Sequence, residues 1–319
     1  MKIIQQKLKI NESTNGLRLD QALGQLLPEY SRSKIQDWIK QGFILHNNVA
    51  SPKAKIKVYE GDDIHLDIPE TIKIFDPPQN IEFEVVYEDE HIFVINKPAG
   101  LVVHPAAGHE SGTLVNGLLF RDSSLEQLPR AGIVHRLDKD TTGIMVVARS
   151  LKAHTALVDA LQKRDIKREY RAIAQGVITA GRTIDEPISR HPVDRKRMAV
   201  QENGKPAVTH FRVQKKYRHY SLIEVQLETG RTHQIRVHLA HLRHPLLGDQ
   251  TYGGRLTIPR ACSEILEQTL RRFRRQALHA FRLSFAHPVS GEALSFEAEL
   301  PADFVHMVTI LEQDLNESS

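Results

Sequence analysis

One cysteine, Cys262, is all the thiol chemistry in this chain of 319 residues. A disulfide framework is excluded, and a thiolate zinc site has too few ligands, as expected in a reducing compartment. The opening MKIIQQKLKINEST lacks the apolar core of a leader peptide. No apolar run approaches the roughly 18 residues needed to cross a bilayer. Neither G-x-G-x-x-G nor a Walker A pattern occurs, so dinucleotide and P-loop nucleotide sites lack support. Repeats and low-complexity tracts are missing as well. These absences predict a cytoplasmic protein with no membrane partner.

What is present is an ordinary globular balance, 40% hydrophobic and 26% charged, with a net charge of +4. That small net hides an uneven distribution. Residues 1–60 carry 10 Lys/Arg against 5 Asp/Glu, residues 61–100 carry 2 against 10, and the remainder is +7. Two basic bodies flanking an acidic connector suit a polyanion such as nucleic acid, though solvated surface charge explains a net of this size equally well.

Residues 17–64 read as a small module. Leu19, Leu23, Leu26 and Leu27 space as one helix face, stopped by Pro28. Ser31 or Ser33 can cap a second helix through Trp38 and Ile39, which Gly42 ends. Short strands follow at 43–45, 56–58 and 64–68, with Asn47-Asn48 as a turn. The stretch LRLDQALGQLLPEYSRSKIQDWIKQGFILHNNVA resembles the S4 RNA-binding module. That resemblance implies RNA contacts from Arg18, Arg32 and Lys34; a packing domain with no ligand is the plainer reading. Residues 65–80, acidic and proline-bearing, read as a linker. Residues 81–310 read as a second, larger domain. Strands are expected at 92–95, on both sides of 135–143, at 169–176 and at 222–228. Helices are expected at 151–164, 231–243 and 263–278, the last with basic Arg271, Arg272, Arg274 and Arg275 on a solvated or groove-binding face.

The densest chemistry lies in GIVHRLDKDTTGIMVVAR, residues 132–149, where His135, Arg136, Asp138, Lys139 and Asp140 crowd a loop between apolar segments. A salt-bridged turn, Arg136 with Asp140, would account for part of it. His135-Arg136-Leu137-Asp138 is close to the kinase H-R-D loop. However, Leu137 intervenes, no Asn follows, and no Gly-rich loop precedes. Four histidines, His233, His238, His241 and His244, fall within 229–244, but few acidic or thiol partners lie near, Asp249 excepted. They read as RNA-facing or structural, with no metal.

Six segments in fixed order decide the reading: VVYEDEHIFVINKPAGLVVHP (85–105), HRLDKDTTG (135–143), KREYRAIAQG (167–176), DRKRMAV (194–200), GKPAVTHFRV (204–213) and ETGRTHQIRVHLAHLRHPLLGDQTYGG (228–254). Together they resemble the large-subunit ribosomal RNA pseudouridine synthase family, in its D-type branch. The resemblance implies an α+β fold: a mixed, largely antiparallel sheet with flanking helices, plus the S4-like module. It implies conversion of uridine to pseudouridine in 23S ribosomal RNA by a monomer that needs no cofactor. It assigns Asp138 as the catalytic aspartate, Tyr170 as the ring that stacks on the base, and Arg236 as the aspartate's basic partner. Arg136 would enter the RNA stack as the uridine flips, and Arg231 and His233 would support RNA binding. The chemistry breaks N1–C1′, turns the base and joins C5 to C1′. A carboxylate can attack C1′, remove the C2′ proton or add to C6, and the sequence leaves all three open.

Overall fold

The structure, a computed structural model, describes residues 3–27, 32–50, 53–69, 77–105, 111–194 and 197–317. The chain divides into two compact units, Met1–Ile74 and Phe75–Ser319. In the first, strand β1 (Ile3–Lys9) precedes helices α1 (Leu19–Leu26) and α2 (Arg32–Lys40). Strands β2 (Ile44–His46), β3 (Val49–Ala50) and β4 (Asp63–Pro69) follow, in the sheet order β1-β4-β2-β3. Leu19, Leu23 and Leu27 bury one face of α1 against Ile35, Trp38 and Ile39, over Ile44, Ile64 and Leu66. Asn47 and Asn48 both take positive φ, 50° and 65°, which matches a two-residue turn to the strand twist.

Three expectations need correction here. The module does not start at residue 17, because β1 pairs along the whole of β4, from Ile3 opposite Pro69 to Lys9 opposite Asp63. The strand expected at 64–68 is β4, so residues 65–69 are strand and the linker does not begin at 65; residues 70–76 lie outside the described residues. Residues 56–58 form no strand and give only one bridge, Lys57 to Arg18. Their backbone is taken by the entry to α1, where Ile56 accepts from the Leu19 N–H and Val58 donates to Leu17.

The second unit begins with β5 (Glu84–Glu88), β6 (Ile92–Lys97), α3 (Leu114–Arg121), β7 (Thr142–Ala148), α4 (Leu151–Lys163) and β8 (Lys167–Gln175). It continues through β9 (Arg182–Asp185), β10 (Ile188–Arg190), β11 (Met198–Val200), β12 (Val208–Lys216), β13 (Tyr220–Leu227) and α5 (Gln234–His241). It closes with α6 (Glu264–Arg272), β14 (Leu278–Ala286), β15 (Ala293–Glu297) and α7 (Ala302–Asn316). Among the described residues one nine-stranded sheet runs β5-β6-β7-β14-β8-β13-β12-β9, with β15 also on β14, and β10 and β11 form a separate ribbon. Among the described residues every ladder in this sheet is antiparallel except β7 with β14.

Strand β7 is buried on both faces, and so reads as an unbroken apolar run. Met145 and Val147 join one core with α3 and α5; Ile144 and Val146 join another with α4. Ile133-Val134, expected as its partner strand, gives a single bridge, Ile133 to Val147. The helix expected to reach 278 stops at Arg272, since Phe273 to Ala277 lead into β14.

Candidate active site

Asp138 lies on the loop that enters β7, and its main chain is fastened from several directions. Lys97, at the end of β6, donates from Nζ to the carbonyl of Lys139 at 2.9 Å, and to those of Pro98 and Leu101. Gln276 Nε2 donates to Thr141 Oγ1 at 3.0 Å, and Thr142 Oγ1 lies 2.8 Å from His279 Nδ1. His135 turns inward and accepts the Val146 N–H at 3.1 Å. Burial, with the Arg168 charge, pushes the His135 pKa down to about 3, so the ring stays neutral. His135 is therefore a strut, and Lys97 a clamp. Burial likewise pulls Lys97 down to about 7, against the Asp140 and Asp138 carboxylates, which act to raise it.

Arg236 projects from α5. Its Nη1 donates to Asp138 Oδ2 at 2.8 Å, while Nε and Nη2 grip Asp249 at 2.7 and 2.9 Å. Asp249 is fixed in turn, because its Oδ1 accepts the backbone N–H groups of Thr251 and Tyr252. Burial alone would weaken the Arg236 charge; the two carboxylates outweigh it and raise its pKa. Asp138 Oδ2 is thus occupied, and Oδ1 accepts no hydrogen bond among the described residues. His233, left-handed at φ 57°, is the N-cap of α5 and sets Nε2 3.8 Å from that oxygen. The Tyr252 hydroxyl accepts the Met198 N–H and lies 2.8 Å from His233 Nδ1. Burial is the main cause that lowers the His233 pKa.

A cavity of about 830 Å³ opens over Asp138 and is lined by Tyr170, Arg168, Arg130, Arg136, Arg164 and Arg231 among others. Tyr170 is 5% exposed on the inner face of β8, and its hydroxyl has no partner among the described residues. Arg136 is exposed and pairs neither with Asp140 nor with any other described carboxylate, so the salt-bridged turn is not formed. Arg231 is exposed and donates to the Pro206 carbonyl at 3.0 Å. The sequence-predicted Asp138, Tyr170, Arg236, Arg136, Arg231 and His233 thus meet in one place.

Arg18, expected to contact RNA, is also engaged within its own unit. It clamps the buried Asp20 through Nε and Nη2, both at 3.1 Å, and so helps fasten α1. The side chains of Arg32 and Lys34, at the start of α2, lie outside the described residues. His238 is buried between Thr209 and the Glu186 carbonyl, and His244 bonds the Gln175 carbonyl. Sequence reasoning assigns no role to Lys97, Arg168, Asp249 or Tyr252. All four stand within the six segments, but what gives them a role is tertiary: the Lys139 carbonyl for Lys97, the Glu228 carbonyl for Arg168, Arg236 for Asp249, and Met198 and His233 for Tyr252.

Known proteins are similar to this chain over most of its length. Residues 91–241 match the family described as RNA pseudouridylate synthase. "Ribosomal large subunit pseudouridine synthase D" of Pasteurella multocida is 52% identical over 306 residues, 96% of this chain and 94% of that protein. The protein of the same description from Escherichia coli K12 is 50% identical, covering 98% of this chain and 96% of its own length. Human RNA pseudouridylate synthase domain containing 4, a solved structure, matches with a TM-score of 0.56 at 28% identity, over 72% of this chain and 93% of its own.

Proposed function

The chain belongs to the RNA pseudouridylate synthase family, and from that membership we propose that it isomerises uridines of large-subunit (23S) ribosomal RNA to pseudouridine, with Asp138 as the catalytic carboxylate. The observation that carries the assignment is the geometry of that carboxylate. One oxygen is held by a buried arginine that a second aspartate immobilises, and the carboxylate borders a cavity walled by Tyr170 and arginines. A fixed, ion-paired carboxylate is what attack at C1′, removal of the C2′ proton or addition to C6 would each use. Oδ1 is the oxygen we assign to the reaction.

A stacked uridine hides C1′ and C5, so the base must leave the helix, at a cost of a few kcal/mol. Tyr170 offers the flipped base a flat face, and the unpaired Arg136 at the rim is free to fill the vacated stack. The arginine-rich wall matches the charge of the RNA backbone. We assign the first unit, with Arg32 and Lys34 on α2, to RNA docking as an S4-like module, and we place the activity in the cytoplasm, carried out by a monomer. The chemistry moves no electrons to or from a carrier. Carbodiimide mapping of pseudouridines in ribosomal RNA from cells with and without the gene tests the reading. Unchanged large-subunit RNA would refute it.

A further inference from the structure

Two arginines in the wall of the cavity are buried, and the protein treats them differently. Arg236 has two carboxylates. Arg168, 6% exposed, has none among the described residues. Its one hydrogen bond there runs from Nη2 to the carbonyl of Glu228 at 2.9 Å, and its Nε is buried without any partner. The nearby Glu228 carboxylate is spent elsewhere, on Arg164 and on His210. Burial lowers the Arg168 pKa, and no carboxylate figures among the causes that oppose it. A guanidinium taken out of water without a counter-charge is costly, and one bond to a neutral carbonyl calls for no cation.

The surroundings preserve this arrangement. A Cβ on Gly230 would lie 2.8 Å from Arg168 Nη1, so the loop carries a glycine where the guanidinium needs room. Arg168 and Tyr170 alternate with more exposed neighbours on β8 and so share the face that lines the cavity. Two residues on one face of a strand stand about 7 Å apart, comparable to the reach from a base across its sugar to a phosphate.

We propose that Arg168 is the binding site for a phosphate flanking the flipped uridine. On the RNA reading above, on which this inference rests, the missing counter-charge is brought by the substrate. The base lies on Tyr170, the phosphate meets Arg168, and the ribose between them is set over Asp138. The guanidinium offers paired N–H groups that suit a phosphate's non-bridging oxygens. Arg168 would thus discriminate a flipped nucleotide from a free base.

The test is a binding cycle on a large-subunit RNA stem-loop in which the wild-type protein has first been shown to convert one mapped uridine. Methylphosphonate replaces the phosphate 5′ or 3′ of that uridine, with 2′-fluoro on the ribose that carries the linkage; 2′-fluoro RNA with an ordinary phosphate is the control. Kd is measured for wild type, Arg168→Gln and Arg168→Lys. At one of the two positions the wild type should lose about tenfold on methylphosphonate. Arg168→Gln should bind control RNA about tenfold more weakly and lose nothing further, and Arg168→Lys should recover part of the loss. A full additional loss in Arg168→Gln at both positions overturns the proposal. If melting shows that Arg168→Gln does not fold, Gly230→Ala, which displaces the guanidinium, enters the same cycle with the same two outcomes. Absence of turnover by the wild type on any large-subunit RNA would instead bring down the RNA reading and this inference with it.

Discussion

Lys97 Nζ and the carbonyl oxygen of Lys139 are 2.9 Å apart although 42 residues separate them in the chain, and this bond holds the turn after Asp138 against the end of β6. Lys97 is fully buried and its pKa falls from 10.5 to about 7, mainly through burial. Below about pH 7 both folded and unfolded chains hold the proton. Above it the unfolded chain holds more, so stability rises with pH up to the ordinary lysine range. We expect the stability difference between wild type and Lys97→Met to vary with pH, with a slope approaching ~1.4 kcal/mol per pH unit above pH 7. Denaturant midpoints at pH 6, 7, 8 and 9 measure it, and parallel curves would contradict it.

Asp138→Asn keeps size and removes charge. RNA binding should stay within about tenfold of wild type, or ~1.4 kcal/mol, while pseudouridine becomes undetectable. Turnover by the purified variant near the parent rate would reject the assignment of Asp138.

Arg236→Leu leaves Asp249, with a side chain 0% exposed, facing no cation among the described residues. Stability should fall by about 3–5 kcal/mol and turnover should vanish. Arg236→Lys should lose less of both, since charge survives while the two-pronged grip does not. Thermal melts paired with single-turnover assays separate these outcomes; equal losses in Leu and Lys would show that the charge is immaterial.

Gly143 lies near the start of β7 at φ +113°, and a Cβ there would lie 2.1 Å from the Ala280 carbonyl oxygen on the parallel neighbour β14. Gly143→Ala must therefore push β7 and β14 apart. We expect a destabilisation of about 3 kcal/mol or more, read as a lowered urea midpoint. A variant with wild-type stability would mean that the two strands do not lie this close.

Arg32→Ala with Lys34→Ala probes the first unit. If both side chains meet phosphates, affinity for a ribosomal RNA fragment should fall. The slope of log K against log salt should also become shallower, by roughly 0.7–0.9 for each phosphate no longer neutralised. An unaltered slope over a salt series would return α2 to a packing role.

Much of the second unit was legible because its signals are local. The apolar run of β7, the capped pattern of α4 and the alternation of β8 each depend on neighbours in sequence. Failures came where distant partners decide. The pattern IIQQKLK of β1 alternates weakly, and becomes strand by pairing with β4 some 60 residues on. The helix expected through 278 is cut short where Arg275 turns to grip Asp303, with Nε and Nη2 both at 2.7 Å. At the site, Asp138, Tyr170 and Arg236 were legible through the family resemblance. In the sequence Asp249 is only a stray acidic neighbour of the histidines, since no spacing rule links it to Arg236, 13 residues away across a loop.

The parallel pairing of β7 with β14 has a consequence for the order of events during synthesis. Gln276, His279 and Ala280, which close over Thr141, Thr142 and Gly143, are made long after the loop they secure. A growing chain that has reached only α5 already contains Asp138, Tyr170 and Arg236 but has no β14 to fix the aspartate's loop. Assembly of the proposed active site waits on contacts of high sequence separation, the slow kind. An unfinished polypeptide still at the ribosome therefore carries the residues proposed for catalysis without the arrangement that joins them.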